Sequence, residues 1–145
     1  EMKEIKIGTG RKLKDGNDIA ILSFGHVGNF AASAIRDVKP EGINPAHYDM
    51  RFVKPLDEEM LQEVFRKYNK VGTIEDGTVV GGFGSAILEF MNEHGYKADV
   101  KIMGIPDRLV EHGTPKQLYD EIGIDANGIT IALRTMAEVK VAVHS

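Results

Sequence analysis

The sequence predicts an α/β fold in which a mostly parallel sheet is covered by helices on both faces, a three-layer α/β/α sandwich. Short apolar runs alternate with amphipathic stretches along the whole chain, which is the order of repeated strand-helix units. One of those runs, Ile19-Ala20-Ile21-Leu22-Ser23-Phe24, is apolar almost throughout, as a strand buried on both faces must be. The length of 145 residues is the third observation. A chain of that size buries about two-thirds of its unfolded surface, so residues 1–145 are expected to form a single well-packed domain.

The elements follow in order. Glu4-Ile5-Lys6-Ile7 alternates as a strand does, and Gly8-Thr9-Gly10 interrupts it before Arg11-Lys12-Leu13-Lys14. Asp15-Gly16 is a hairpin signal leading into Ile19–Phe24, so an opening hairpin is expected to supply one antiparallel edge. Gly25 ends that central strand. Val27, Phe30, Ala31, Ala34, Ile35 and Val38 then recur at helical spacing until Pro40 stops the helix. A strand around Tyr48–Phe52 leads to Pro55, and Asp57 is a good N-cap for a helix with Leu56 and Leu61 placed as a hydrophobic staple. Leu61, Val64, Phe65 and Tyr68 make its buried face.

Val71 to Ser85 reads as a strand, a glycine-rich turn and a helix start. Ser85 is expected to cap that helix, Ile87, Phe90 and Met91 to face inward, and Gly95 to end it. Asp99–Met103 is the next strand, and Thr114-Pro115-Lys116-Gln117 is a capping box that opens a short helix closed by Ile122-Gly123. A last helix from about Asp125 presents Ile129, Ala132, Leu133 and Met136 on one side, with Val139 to Ser145 expected to fray.

Composition narrows the function classes. The net charge is -4 and the lysines and arginines are scattered, so no basic face stands ready to neutralise phosphates and nucleic acid is not an expected partner. Cysteine is absent, which removes disulfides, thiolate catalysis and cysteine zinc sites and fits a reducing cytoplasm. No run approaches the ~20 apolar residues of a membrane helix and no leader opens the chain, so a soluble cytoplasmic protein without membrane contact is expected.

The glycine-rich turn first suggests a phosphate site, because a helix N-terminus aims free N–H groups at an anion. Its details argue otherwise. A P-loop needs a lysine after its last glycine, whereas Gly84 is followed by Ser85 and Ala86. A dinucleotide fingerprint tolerates no acids at the strand end, where this chain has Glu75 and Asp76. Gly77, Gly81, Gly82 and Gly84, with Glu75 and Asp76, therefore read as a packing or subunit-contact loop. The five histidines contain no His-x-x-x-His pair, so spacing points to no metal site. Ser23 and His26 share a strand end without the Gly-x-Ser-x-Gly elbow of a hydrolase. Arg51 and Lys54 lie where ligands bind at strand ends, and either hold an anion or pair with Asp49 and Asp57. His112, between Glu111 and Gly113 in a loop with Asp107, is a candidate to titrate near neutral pH, and reads either as a hydrogen-bonded loop histidine or as a catalytic one.

Asp49-Met50-Arg51-Phe52-Val53-Lys54-Pro55-Leu56-Asp57, the Glu75-to-Ser85 loop, Gly104-Ile105-Pro106-Asp107 and Val110-Glu111-His112-Gly113-Thr114 resemble the C-terminal domain of the 1-deoxy-D-xylulose-5-phosphate synthases. The arginine, the Pro-Leu-Asp run and the glycine-rich loop are shared more widely by transketolase-like enzymes, while the Ile-Pro-Asp to Gly-Thr segment and Gly123–Ile129 are similar to the synthases in particular. The resemblance implies a sheet of five strands, mixed but mostly parallel. It also implies a parent enzyme that uses thiamin diphosphate and magnesium to join a two-carbon fragment of pyruvate to D-glyceraldehyde 3-phosphate, for isoprenoid, thiamin and pyridoxal synthesis. The family's Gly-Asp-Gly diphosphate motif does not occur here, so neither cofactor, no metal and no catalytic residue is expected in this domain. Its implied partners are the upstream domains of the same chain and a second copy in a homodimer, with the Glu75-to-Ser85 loop supplying part of the contact. Two alternatives stay open: the corresponding domain of a transketolase or of a 2-oxo acid dehydrogenase beta subunit, and a free-standing module that binds an anion at Arg51 and Lys54.

Overall fold

The structure, a computed structural model, describes residues 9–25, 28–50, 56–76, 82–105 and 126–144. Within them a five-stranded sheet runs in the order β1 (Arg11–Lys14), β3 (Ala46–Asp49), β2 (Ile19–Phe24), β4 (Lys70–Asp76), β5 (Asp99–Ile105). β2 is central and parallel to both β3 and β4, and β5 is parallel to β4. Only β1 is antiparallel. The three-layer α/β/α sandwich with a mostly parallel mixed sheet is thus the observed architecture.

Each face of the sheet has its own core. Ile19 and Ile21 of β2, Ile74 of β4 and Met103 of β5 pack with Ala31, Ala34, Ile35 and Val38 of α1 (Gly28–Val38) and Ile129, Ala132, Leu133 and Met136 of α4 (Ala126–His144). Ala20, Leu22 and Val71 point the other way, as alternation along a strand requires. They meet Leu61, Val64 and Phe65 of α2 (Glu58–Lys67) and Phe83, Ile87 and Phe90 of α3 (Phe83–Glu93). That doubly buried sheet explains why β2 carries no polar residue before Ser23. Leu56 and Leu61, the expected staple, both sit in this second cluster.

Three expectations are corrected. Asp15-Gly16 does not close a hairpin onto β2: β1 lies against the outer edge of β3, with Arg11 opposite Asp49 and Lys12 opposite Tyr48. The connection passes close beneath the start of β3, where Asn17 donates its N–H to the Asn44 carbonyl at 2.7 Å. A Cβ on Gly16 would lie 2.2 Å from the Ala46 nitrogen, so only glycine fits that crossing. β3 begins at Ala46, two residues before the expected strand. The last helix continues to His144 rather than fraying from Val139, because no glycine or proline follows to stop it.

The remaining edge contacts tie β1 to α2. Glu63 accepts from Lys12 at 3.2 Å and from the buried Tyr48 hydroxyl at 2.9 Å. Burial first, then this hydrogen bond, push the Tyr48 phenol above its ordinary value. On the opposite face the Arg134 guanidinium grips Glu41 through two nitrogens, at 2.9 and 2.7 Å, joining α4 to the 3-10 turn Lys39–Glu41 that follows α1. The strand expected near residues 4–7 and the capping-box helix near 115–122 fall outside the described residues.

Candidate functional site

The glycine-rich turn joins β4 to α3, and Glu75 decides what it can do. Glu75 is the sixth residue of β4 and faces the α2/α3 side of the sheet, with Val71 and Thr73. Its carboxylate is 5% exposed and reaches the start of α3, where Oε1 accepts from the Phe83 N–H at 2.9 Å and Oε2 from the Gly84 N–H at 3.1 Å. Two otherwise orphaned helix donors are satisfied, and the negative charge meets the positive end of the helix dipole.

This overturns the expected cap. Helix α3 begins at Phe83, its N-cap Gly82 has no side chain to offer, and Ser85 lies inside the first turn. Acids at the strand end are expected to repel a phosphate. Glu75 does more than that, because its own carboxylate stands where a phosphate would bind. Asp76 continues β4 and pairs with Ile105 of β5.

The start of α3 is held by packing as well as by charge. A Cβ on Gly84 would lie 2.7 Å from Ile102 Cγ2, so this glycine lets α3 sit directly on β5. Phe83 is fully buried and stacks on Phe24, at the end of β2, with ring centroids 5.6 Å apart. Below Glu75 on the same face, the buried Thr73 hydroxyl has no hydrogen-bond partner among the described residues.

A second polar pair lies on the opposite face. Ser23 Oγ and His47 Nε2 are 2.9 Å apart, both side chains almost wholly buried, on the neighbouring strands β2 and β3. Burial pushes the His47 imidazole below its ordinary value, with the nearby Asp49 charge opposing that shift. The pair resembles the nucleophile and base of a hydrolase, but an enclosed Ser23 offers no approach to a substrate. The space above it is taken by α1: a Cβ on Gly28 would be 3.2 Å from Ser23 Oγ. Sequence proximity groups Ser23 with His26; the partner is His47, which becomes visible only once β3 is known to lie beside β2.

Asp57 performs the capping role expected of it. Oδ1 accepts from the Met60 N–H at 3.0 Å, and Oδ2 accepts from the Gly10 N–H at 2.7 Å, an addition that sequence does not suggest. Of the other candidates, Arg51, Lys54, Gly77, Gly81, His112 and His26 lie outside the described residues. Among the described residues no group of three or more His, Asp or Glu side chains gathers as a metal set, and no helix is long and apolar enough to cross a membrane.

Comparison with known proteins fits this architecture. The family model for the transketolase C-terminal domain matches residues 8–129. The chain is 53% identical over 137 residues to the 1-deoxy-D-xylulose-5-phosphate synthase of Cytophaga hutchinsonii, covering 94% of this chain and 22% of that protein. It is 42% identical over 137 residues to the synthase of Geobacillus thermodenitrificans, again covering 94% of this chain and 22% of the relative. The chain thus spans about a fifth of the length of the curated relatives it matches. Among solved structures, a split-gene transketolase in the form of an inactive beta4 tetramer superposes with a TM-score of 0.83 at 32% identity, over 92% of this chain and 44% of that one. A transketolase from Pichia stipitis shares the fold, with a TM-score of 0.65 at 14% identity over 91% of this chain and 18% of that one. With the fold and these matches in agreement, the chain belongs to the transketolase C-terminal domain family.

Proposed function

We infer that this chain is the C-terminal domain of a 1-deoxy-D-xylulose-5-phosphate synthase, and that its role is assembly rather than chemistry. The observation that carries the reading is the identity of 53% to a synthase across nearly all of this chain and only 22% of that enzyme. The intact cytoplasmic enzyme would convert pyruvate and D-glyceraldehyde 3-phosphate to 1-deoxy-D-xylulose 5-phosphate and CO2, supplying isoprenoid and thiamin synthesis.

The described residues do not fit thiamin diphosphate or magnesium. The glycine-rich helix start that would suit a diphosphate holds the Glu75 carboxylate, and no metal set gathers among the described residues. Those groups therefore belong to the preceding domains in this reading. What this domain contributes is a body that packs against them and against a second copy through the loop that contains Asp76, Gly77, Gly81 and Gly82, while Glu75 and Gly84 secure the start of α3 within the domain. The split-gene transketolase, an inactive beta4 tetramer, self-associates without activity, which agrees with an assembly role. It also keeps transketolase as the second reading, although at 32% identity against 53% for the synthase.

Turnover and mass test the inference together. The 145-residue chain, supplied with thiamin diphosphate, magnesium and both substrates, is expected to release no CO2, while the full-length enzyme does. Light scattering of the full-length enzyme is expected to give a dimer that weakens when this domain is deleted. Turnover by the isolated chain, or an undiminished dimer after deletion, would overturn the reading.

A further inference from the structure

We propose that the cleft between α4 and the first residues of β4 and β5 is a binding site for a short-chain monocarboxylate, held by Lys70. The cleft measures about 150 Å³ and is lined by Lys70, Asp99, Val100, Lys101 and Met136. A cavity of about that size accommodates one benzene, so a ligand of roughly six heavy atoms fits.

Lys70 supplies the recognition. It opens β4, is 7% exposed, and its ammonium donates to the Met136 carbonyl of α4. An ammonium carries three donors, and among the described residues no carboxylate lies within ion-pairing distance of this one. Among the described residues this buried cation is held by a carbonyl alone, and such a cation gains strongly from an anion that takes up its remaining donors.

The surroundings select the type of anion. Lys70 pairs in register with Asp99, and Gly72 with Lys101, so all four stand on the sheet face that carries α4. Lys101 is exposed and brings a second cation to the cleft, and Asp99, also exposed, brings one acid. The balance of two cations and one carboxylate suits a monoanion and penalises a dianion such as phosphate. Met136 and the methylene stems of the lysines offer apolar wall to a short alkyl tail. Butyrate has the matching size and charge.

The test is an NMR titration of the 145-residue chain with butyrate at low salt and neutral pH, with butanol and butylamine as isosteric probes. Butyrate is expected to give saturable shifts at Lys70, Lys101 and Met136 with a millimolar Kd, including a shift of the Lys70 side-chain nitrogen itself. Butanol and butylamine are expected to bind at least about fivefold more weakly, because each lacks the charge that Lys70 selects. Lys70→Met keeps the apolar stem and is expected to weaken butyrate by about tenfold or more. Asp99→Asn removes the opposing acid and is expected to tighten binding by about two- to threefold, a gain that a damaged fold cannot produce. The proposal is overturned by absence of saturable shifts, by butanol binding as well as butyrate, by an unaffected Lys70→Met, or by an Asp99→Asn that fails to tighten.

Discussion

Helices α2 and α3 cover the same face of the sheet, with Phe65 of one stacked on Phe90 of the other at 6.2 Å, and both start against a carboxylate. For α2 the carboxylate belongs to Asp57, the residue immediately before the helix. For α3 it belongs to Glu75, eight residues before the Phe83 it caps and on a different element. The local cap positions one helix. The remote cap joins a strand end directly to a helix start through a buried charge. The N-cap of α3 is glycine and offers no side-chain acceptor, and the sheet supplies one through Glu75.

Breaking the remote cap should have the larger effect. Glu75→Ala leaves two buried N–H groups unpaired and is expected to destabilise the chain by about 2–4 kcal/mol in urea unfolding. Formate or acetate is expected to restore part of the lost melting temperature in that variant and not in wild type, by occupying the vacated anion position. No rescue and a loss under about 1 kcal/mol would mean that the two hydrogen bonds do not secure α3.

Gly84→Val tests the packing half of the same clamp. Its Cβ would meet Ile102 at 2.7 Å, and overpacking of this kind costs about 1–3 kcal/mol. Ile102→Ala in the same chain should relieve much of the added penalty. Additive losses in the double variant would deny the contact.

Asp57→Ala removes the local cap and is expected to cost about 1–2 kcal/mol, less than Glu75→Ala because the site is only partly buried. Equal losses at the two positions would erase the distinction between local and remote capping.

The smallest expected effect concerns His47, which borders neither helix start and serves as a reference. Its folded-state value lies below the ordinary 6.5, so the unfolded chain binds a proton more readily. The stability it contributes is present above about pH 6.5 and is lost as pH falls from there toward the depressed folded value. Denaturation between pH 7 and 5 should show a decline that His47→Gln flattens, and identical slopes would assign the decline to other groups.

These differences also mark what is legible in the sequence. Continuous apolarity identifies β2 as the central strand, and helical spacing identifies α1 and the inward faces of α2, α3 and α4, because those signals follow from burial alone. Asp57 is legible because a cap adjacent to its helix is a local pattern. Glu75 stands out for its charge, yet its role depends on how the turn returns α3 over the strand end, which spacing cannot specify. Ser23 and His47 are 24 residues apart and meet only because β3 and β2 are neighbours. The pairing of β1 with β3 escapes sequence reasoning for the same cause: Asp15-Gly16 announces a reversal without saying which strand receives it.

Asp57 has one more consequence through its second oxygen. The Gly10 amide, 47 residues upstream and just outside β1, is held by the same carboxylate that starts α2. An amide at the fringe of an edge strand ordinarily exchanges its hydrogen with solvent quickly. Here that exchange is expected to follow the opening of the first turn of α2, which shares its acceptor. The Gly10 signal thus becomes a reporter of a helix to which it does not belong.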